Sequence, residues 1–148
     1  MILLIEDDAA DAELALHALH EKLANQICVL RDGEEALEYL FGPGCEERRA
    51  SGRTLKLILL DLKLPKVDGI EVLRRLKSDP ATKHIPVVIL TSSAEDKDLV
   101  AGYNLGVNSY IQKPVDFDQF RTTVKTLGLY WLVVNQSPIT DSTQTMRE

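Results

Sequence analysis

Four runs of aliphatic residues, each closed by polar side chains, are spaced along the chain. Uninterrupted runs rich in Ile, Leu and Val are typical of strands that are buried on both faces in a parallel sheet. A fifth segment, 109–112, has a mixed pattern but directly precedes a Lys-Pro pair, which suits a strand end. We therefore predict five strands, at 2–5, 27–30, 57–60, 86–90 and 109–112.

Between these strands, apolar residues recur every three or four positions, which predicts helices with one buried face. Asp8 or Asp11 can cap the first helix, and Asp32 and Asp116 precede the second and the last. The charged residues 46–53 have no such period and predict an exposed loop. The predicted helices cover 12–23, 33–41, 69–78, 95–105 and 117–134.

The alternation of strands and helices favours an α/β fold. We expect a doubly wound parallel sheet of five strands, covered by helices on both faces and joined by right-handed crossovers. A chain of 148 residues has the usual size of one domain. We assign residues 1–135 to that domain and residues 136–148, which are polar beyond Pro138, to a disordered tail.

Composition and charge disfavour several classes of function. A net charge of −6 and the lack of a Lys/Arg stripe argue against direct binding of nucleic acid. The sequence has no apolar run near the ~20 residues of a membrane span and no basic segment before Ile2, so we expect a cytoplasmic protein. Cys28 and Cys45 lack metal-like spacing and are expected to be reduced thiols.

Polar side chains follow four of the five predicted strands, namely Glu6 and Asp7, Asp61, Thr91 and Lys113. Because the carboxyl ends of parallel strands meet at one edge of a sheet, these side chains can converge there. Carboxylates held close together favour a hard dication such as Mg²⁺, and a lysine and a hydroxyl beside it suit the oxygens of a phosphoryl group. Each acid taken alone is also explained as the cap of a turn or a helix.

Short motifs surround these strand ends: Ile-Glu-Asp-Asp at 5–8, Leu-Leu-Asp-Leu-Lys-Leu-Pro at 59–65, Asp-Gly at 68–69, Leu-Thr-Ser at 90–92 and Lys-Pro at 113–114. Together they resemble the receiver domain of two-component response regulators, and the resemblance spans nearly the whole chain. It implies a flavodoxin-like (βα)5 receiver fold with strand order 2-1-3-4-5. The segments at 106–111 and 127–132 are also similar to those of single-domain regulators of bacterial and cyanobacterial phytochromes, the Rcp type.

The resemblance implies a phosphoacceptor rather than an enzyme in the usual sense. Asp61 would take a phosphoryl group from the phosphohistidine of a sensor histidine kinase, which would be a phytochrome in the Rcp case. Mg²⁺ would be the cofactor, with Mn²⁺ or Ca²⁺ as substitutes. Asp7 and Asp61 would bind the metal directly, Glu6 through water, and Lys63 through its main-chain carbonyl.

The resemblance also implies a conformational switch. Lys113 would pair with one phosphoryl oxygen and Thr91 with another, while the small Ser92 would leave the site accessible. Movement of Thr91 would let Tyr110 turn inward, although Tyr110 is also explained as an ordinary strand residue on a half-buried face. The peptide bond before Pro114 would be cis.

Output is expected through docking, since the tail is too short to fold as a separate domain, and the sequence does not identify the downstream target. The consecutive apolar residues at 131–134 are too many for one helix face, so some of them must be exposed or meet a partner. We predict a homodimer through a face that includes five aromatic residues, Tyr103, Tyr110, Phe117, Tyr130 and Trp131.

Other classes of protein place an acid at a strand end. A phosphatase of the haloacid dehalogenase type would use Asp61 as its nucleophile but needs a second acid two residues later, where this chain has Lys63. An FMN-binding flavodoxin shares the fold, yet the acids after the first strand would repel the FMN phosphate. A receiver that acts only as a scaffold stays open, although the complete set of acids, threonine and lysine disfavours it.

Overall fold

The computed structural model describes residues 1–19, 22–23, 26–50, 55–92 and 105–134. Its strands are β1 (Ile2–Ile5), β2 (Ile27–Leu30), β3 (Leu57–Asp61), β4 (Val87–Thr91) and β5 (Ser109–Gln112). Its helices are α1 (Ala9–Leu19), α2 (Gly33–Phe41), α3 (Cys45–Ala50), α4 (Gly69–Ser78), α5 (Phe117–Thr126) and α6 (Tyr130–Val133). The tail at 136–148 and the helix predicted at 95–105, except its last residue, lie outside the described residues.

The five strands form one parallel sheet in the predicted order, β2-β1-β3-β4-β5. Ile5 of β1 pairs with Leu60 of β3, and Asp61 at the end of β3 pairs with Leu90 of β4. The ends of these neighbouring strands therefore lie next to one another, offset by one residue. This register is what brings polar residues from distant parts of the chain to one edge of the sheet.

Both faces of the sheet are covered, so the central strands are apolar up to their last residues. β1 and β3 are buried along their whole length. Leu3 and Ile58 belong to the layer that packs against α2 and α4. Leu4 and Leu59 belong to the opposite layer, which packs against α1, α5 and α6. The aliphatic runs in the sequence thus correspond to strands enclosed between two helical layers.

Aspartate side chains cap helices α2, α4 and α5. Asp32 accepts a hydrogen bond from a main-chain N–H of α2, and Asp116 does the same for α5, as predicted. Asp68 caps α4 in the same manner. Within the described part of the chain, no helix combines the length and the apolar character that crossing a bilayer requires.

The prediction of a loop at 46–53 is wrong in its first part, because α3 covers Cys45–Ala50. This segment has no apolar period, so the pattern of buried positions gives no indication of a helix. Glu, Arg and Ala are nevertheless good helix formers. Glu46 and Glu47 also lie in the first turn, where negative charge interacts favourably with the positive end of the helix dipole.

The prediction of one continuous helix from 117 to 134 is also wrong. α5 ends at Thr126, and Gly128 has a φ of 76°, a left-handed conformation that costs glycine little. The N–H of Leu129 donates to the carbonyl of Val124 over 2.8 Å, which closes the end of α5. The helical spacing of apolar residues extends past this break in the sequence because α6 packs against the same layer of the core as α5.

α6 completes the core on the α1 side of the sheet. Val133 and Val134 are 0% and 4% exposed. Val134 also forms an isolated antiparallel bridge with Leu23, which follows α1. Residues 129–134 are therefore part of the folded unit.

Val133→Ala is expected to lower the free energy of unfolding by about 2 kcal/mol, because it removes buried methyl groups and leaves a cavity. Urea unfolding measures the change. Leu14→Ala is the control, since Leu14 is 51% exposed in α1, and it should change the free energy by less than about 0.5 kcal/mol. Equal effects of the two substitutions would contradict a structural role for α6.

Candidate functional site

Three carboxylates meet at the carboxyl edge of the sheet. Glu6 and Asp7 follow β1, and Asp61 is the last residue of β3. One carboxylate oxygen from each of the three lies within 4.8 Å of the other two. Glu6 and Asp61 are buried, whereas Asp7 is exposed. The cluster therefore has two inner acids and one acid that faces solvent.

Main-chain contacts fix the two inner acids. The N–H of Glu6 donates to the carbonyl of Leu30 over 2.9 Å and extends the pairing of β1 with β2 by one residue. The N–H of Lys63 donates to Oδ1 of Asp61 over 3.1 Å, so the chain turns back over this carboxylate. A Cβ on Gly69 would lie 2.5 Å from the carbonyl oxygen of Asp61. Only glycine therefore lets α4 begin so close to the end of β3.

Lys113, one residue beyond β5, places its ammonium group among carboxylates. Its Nζ lies 2.7 Å from Oε1 of Glu6 and 3.0 Å from Oδ2 of Asp61. A third carboxylate oxygen, Oδ2 of Asp11, lies 3.2 Å away. The lysine thus bridges the ends of β1 and β3 and the first turn of α1.

The charges in this cluster are not balanced. Burial, together with the hydrogen bond and the charge of Asp61, raises the pKa of the Glu6 carboxyl to about 7, although Lys113 acts in the opposite direction. Burial alone would lower the pKa of Lys113, but its hydrogen bonds to Glu6 and Asp61 and the negative charges of both together outweigh burial and raise it. Lys113 is therefore charged at neutral pH. The remaining negative charge favours the binding of a cation.

The loop between β3 and α4 is held against the start of α2. The N–H of Gly33 donates to the carbonyl of Pro65 over 3.3 Å. A Cβ on Gly33 would lie only 1.6 Å from the carbonyl oxygen of Val67, so this approach requires glycine. Lys66 has a φ of 70° and places its ammonium 3.7 Å from Oδ2 of Asp32. These contacts position the loop that follows Asp61.

The end of β4 lies beside the end of β5. The side chain of Thr91 is buried and Ser92 is exposed. The N–H of Lys113 donates to the carbonyl of Thr91 over 2.7 Å, and the peptide bond from Lys113 to Pro114 is cis. The hydroxyl-bearing residues predicted for the site thus lie next to the lysine in the fold.

The predicted aromatic face is divided between the two sides of the sheet. Tyr110 is half-buried and packs against the layer that includes α2 and α4. Phe117 and Tyr130 are also half-buried but pack against the opposite layer. Tyr103 and the side chain of Trp131 lie outside the described residues.

Asp11 is a site residue that the sequence indicated only as a possible cap. In the structure, Asp8 is the cap, because its Oδ1 accepts a hydrogen bond from the Asp11 N–H over 2.9 Å. The Asp11 side chain is thereby free of that role and contacts Lys113. Both residues are aspartates at the start of α1, so no feature of the sequence distinguishes their roles.

The chain matches the model of a known protein family over most of its length. The model of the response regulator receiver domain matches residues 2–125. The chain is a response regulator receiver domain. A receiver domain is a phosphoacceptor rather than an enzyme in the usual sense, it uses a divalent cation, and its partners are histidine kinases.

The solved structures similar to this chain include phytochrome response regulators, and its relatives include other response regulators. The structure of the bacteriophytochrome response regulator AtBRR matches with a TM-score of 0.80 and 51% identity, over 91% of this chain and 96% of that one. Response regulator Rcp1 of Synechocystis sp. is 41% identical, and the crystal structure of its Mn²⁺-bound form has a TM-score of 0.65 over 88% of this chain and 93% of that one. The probable methanogenesis regulatory protein FilR2 of Methanothrix harundinacea is 45% identical, over 93% of this chain and 87% of that protein.

The acidic triad of the receiver domain fits a hard dication. Glu6, Asp7 and Asp61 offer three oxygen ligands within 4.8 Å of one another. Mg²⁺ and Mn²⁺ prefer carboxylate oxygens, and Mg²⁺ commonly keeps several waters beside one or two carboxylates. The exposed Asp7 leaves the solvent side of the triad accessible to such waters.

Proposed function

We propose that this receiver domain is a single-domain response regulator that accepts a phosphoryl group on Asp61 from a histidine kinase of the phytochrome type. One observation carries the proposal: the Asp61 carboxylate is within reach of both the Glu6 and Asp7 carboxylates and the Lys113 ammonium. A nucleophile in this position has a cation site and a fixed positive charge next to the group it receives. The 51% identity to a bacteriophytochrome response regulator supports the class of kinase.

In the transfer, a carboxylate oxygen of Asp61 forms a bond to phosphorus while the bond from phosphorus to the histidine nitrogen breaks. The electron pair of the broken bond stays on the imidazole nitrogen, and the product is an aspartyl phosphate. Mg²⁺, or Mn²⁺ or Ca²⁺ in its place, would be held by Asp7 and Asp61, by Glu6 through water and by the main-chain carbonyl of Lys63. The bound dication supplies charge neutralisation between two groups that are both anionic.

Three further residues act on the phosphoryl group in this proposal. Lys113 exchanges a carboxylate partner for a phosphoryl oxygen. The hydroxyl of Thr91, at the buried end of β4, donates a hydrogen bond to another oxygen. Ser92 is exposed and small, so it leaves a path for the donor and for the water that later hydrolyses the aspartyl phosphate.

Phosphorylation would be passed on through β4 and β5. Tyr110 pairs with Ile89, which lies two residues before Thr91 on β4. Movement of Thr91 towards Asp61 would vacate space next to this pair, and the half-buried ring of Tyr110 would turn into it. The rearrangement would alter the surface that β5 and α5 contribute to.

Two docking surfaces follow from the proposal. The kinase would bind around α1, where Leu14 is exposed, and at the loop between β5 and α5. The surface to which β5 and α5 contribute would bind the target and a second copy of the chain. Residues 1–135 would form the receiver unit and residues 136–148 a polar extension, and the protein would act in the cytoplasm. Light scattering tests the homodimer, and a monomer with and without phosphorylation would contradict it. Because β5 is the edge strand of the sheet, the dimer surface would draw on both helical layers and would include Tyr103, Tyr110, Phe117, Tyr130 and Trp131.

The test of function is transfer of a labelled phosphoryl group from a phytochrome-type histidine kinase and, separately, from acetyl phosphate. Each donor is used with Mg²⁺ and with a chelator. We expect label from both donors, and only with Mg²⁺. Label from acetyl phosphate but not from the kinase would reject the phytochrome partner and keep the acceptor. No label under any condition would indicate a receiver that acts as a scaffold.

Binding of Mg²⁺ is expected to stabilise the fold, because the ion binds the folded carboxylate cluster and not the unfolded chain. At about 100 times its dissociation constant, the ion should raise the free energy of unfolding by about 2.7 kcal/mol. Urea unfolding at constant ionic strength measures this increase. Asp7→Asn should lose most of this increase, since it removes a carboxylate that would bind the ion directly.

Asp68→Asn is the matched control for the metal prediction. It removes the same charge, and asparagine caps α4 as well as aspartate does. The control protein should keep the full increase with Mg²⁺. An increase of the same size in Asp7→Asn would contradict the assignment of Asp7 as a metal ligand.

A further inference from the structure

Asp11 brings a fourth carboxylate to the site. Its Oδ2 lies 3.2 Å from Nζ of Lys113, and its side chain is 36% exposed. The two other carboxylates bound by this lysine, Glu6 and Asp61, are 1% and 7% exposed. Asp11 lies outside the triad whose oxygens converge within 4.8 Å. It therefore contacts the lysine from the more open side of the site.

The position of Asp11 matters for an incoming phosphoryl group. Lys113 separates the Asp11 carboxylate from the Asp61 carboxylate, so a phosphoryl group on Asp61 would share this lysine with Asp11. The distances are well below the Debye length of ~10 Å, so salt at physiological concentration screens the repulsion only in part. Asp11 thus opposes the arrival of negative charge while leaving the nucleophile in place.

We propose that Asp11 selects among phosphodonors by their charge. It slows transfer from dianionic acyl phosphates more than transfer from donors whose leaving nitrogen carries a positive charge. The proposal rests on Asp61 being the phosphoacceptor. A protonated phosphohistidine belongs to the favoured class, so Asp11 would reduce unregulated phosphorylation by small metabolites relative to phosphorylation by a kinase.

Two small donors separate these classes. Acetyl phosphate is a dianion near neutral pH, and its bond from phosphorus to oxygen breaks to release acetate. Phosphoramidate is a monoanion with a protonated nitrogen, and its bond from phosphorus to nitrogen breaks to release ammonia. In both reactions the new bond joins phosphorus to the Asp61 carboxylate, so the acceptor chemistry is the same. The charge of the donor is the variable that Asp11 senses.

The experiment measures the second-order rate constant for phosphorylation with each donor at saturating Mg²⁺. Asp11→Asn should increase the rate with acetyl phosphate by about fivefold and the rate with phosphoramidate by less than about twofold. The difference between donors should shrink between ~50 mM and ~500 mM salt. Asp11→Glu, which keeps the charge, should behave like the parent chain.

Glu13→Gln is the control for general charge effects, because Glu13 is exposed on the same helix. It should leave both rates near their parental values. Equal acceleration with both donors, slower transfer with both, or an effect independent of salt would overturn selection by charge while leaving Asp61 as the acceptor. Failure of the parent chain to take label from either donor would overturn the proposed function and this inference together.

Discussion

Asp61→Asn is expected to abolish phosphoryl transfer, with a rate more than about a thousandfold below that of the parent chain. The amide has nearly the shape of the carboxylate, but it lacks the anionic oxygen that forms the bond to phosphorus. Labelled acetyl phosphate with Mg²⁺, followed by electrophoresis of the protein, measures the effect. The loss should be the same with a kinase as the donor, because the acceptor atom is the same.

The fold should survive this substitution. Oδ1 of Asp61 accepts a hydrogen bond from the N–H of Lys63 over 3.1 Å, and an amide oxygen accepts it equally well. Asp68→Asn again provides the control, since it removes the same charge from a nearby loop and keeps the cap of α4. Labelling of Asp61→Asn at the rate of this control would contradict the assignment of the acceptor.

Lys113→Met is expected to slow transfer by about a hundredfold without abolishing it. Nζ of Lys113 lies 3.0 Å from Oδ2 of Asp61, where it can stabilise charge that develops on the phosphoryl oxygens. Methionine keeps much of the length and apolar contact of the side chain but removes the charge. Because the nucleophile is still present, prolonged incubation should produce label on Lys113→Met and none on Asp61→Asn.

Lys83→Met controls for the loss of a lysine elsewhere. Lys83 is exposed and precedes β4, so it belongs to the opposite edge of the sheet from Asp61. Its substitution should leave the transfer rate close to that of the parent chain. A Lys113→Met protein that is phosphorylated at the parental rate would show that the lysine does not contact the reacting group.

The sheet and the acidic site follow from the sequence for the same physical reason. A parallel strand enclosed on both faces must be apolar throughout, so it forms a distinct run, and its last residue is easy to locate. β3 is such a strand from Leu57 to Leu60, and Asp61, its buried last residue, is its first polar side chain. Because the strands are parallel, Glu6, Asp61 and Lys113 all lie at the carboxyl edge of the sheet once the strand ends are known.

The connection between α5 and α6 could not be predicted from the apolar period. Val124, Leu127 and Trp131 have helical spacing in the sequence, and the period does not indicate that the backbone turns at Gly128. A glycine within a helical pattern is tolerated in many helices, so its presence alone does not fix a break. The positive φ is selected by packing, because α6 must return Val133 to the core.

The role of Asp11 depends on tertiary structure. It and Asp8 are equally suited to cap α1, and only the reach of Lys113 from a position 102 residues away distinguishes them. The short helix α3 could not be predicted either, because a helix with few apolar residues has no apolar period in the sequence. Sequence patterns thus identified the buried framework and the residues at its ends, while partners of exposed charges required the fold.

Chemical trapping tests most directly whether Asp61 carries the phosphoryl group. The protein is phosphorylated with acetyl phosphate and Mg²⁺, reduced with borohydride, digested and sequenced by mass spectrometry. Reduction converts an aspartyl phosphate to homoserine, so we expect homoserine at position 61 in the Mg²⁺ sample and aspartate there in a sample prepared with chelator. Homoserine at Asp7 or Asp11 with unmodified Asp61, or no homoserine in a sample that carries label, would contradict the account.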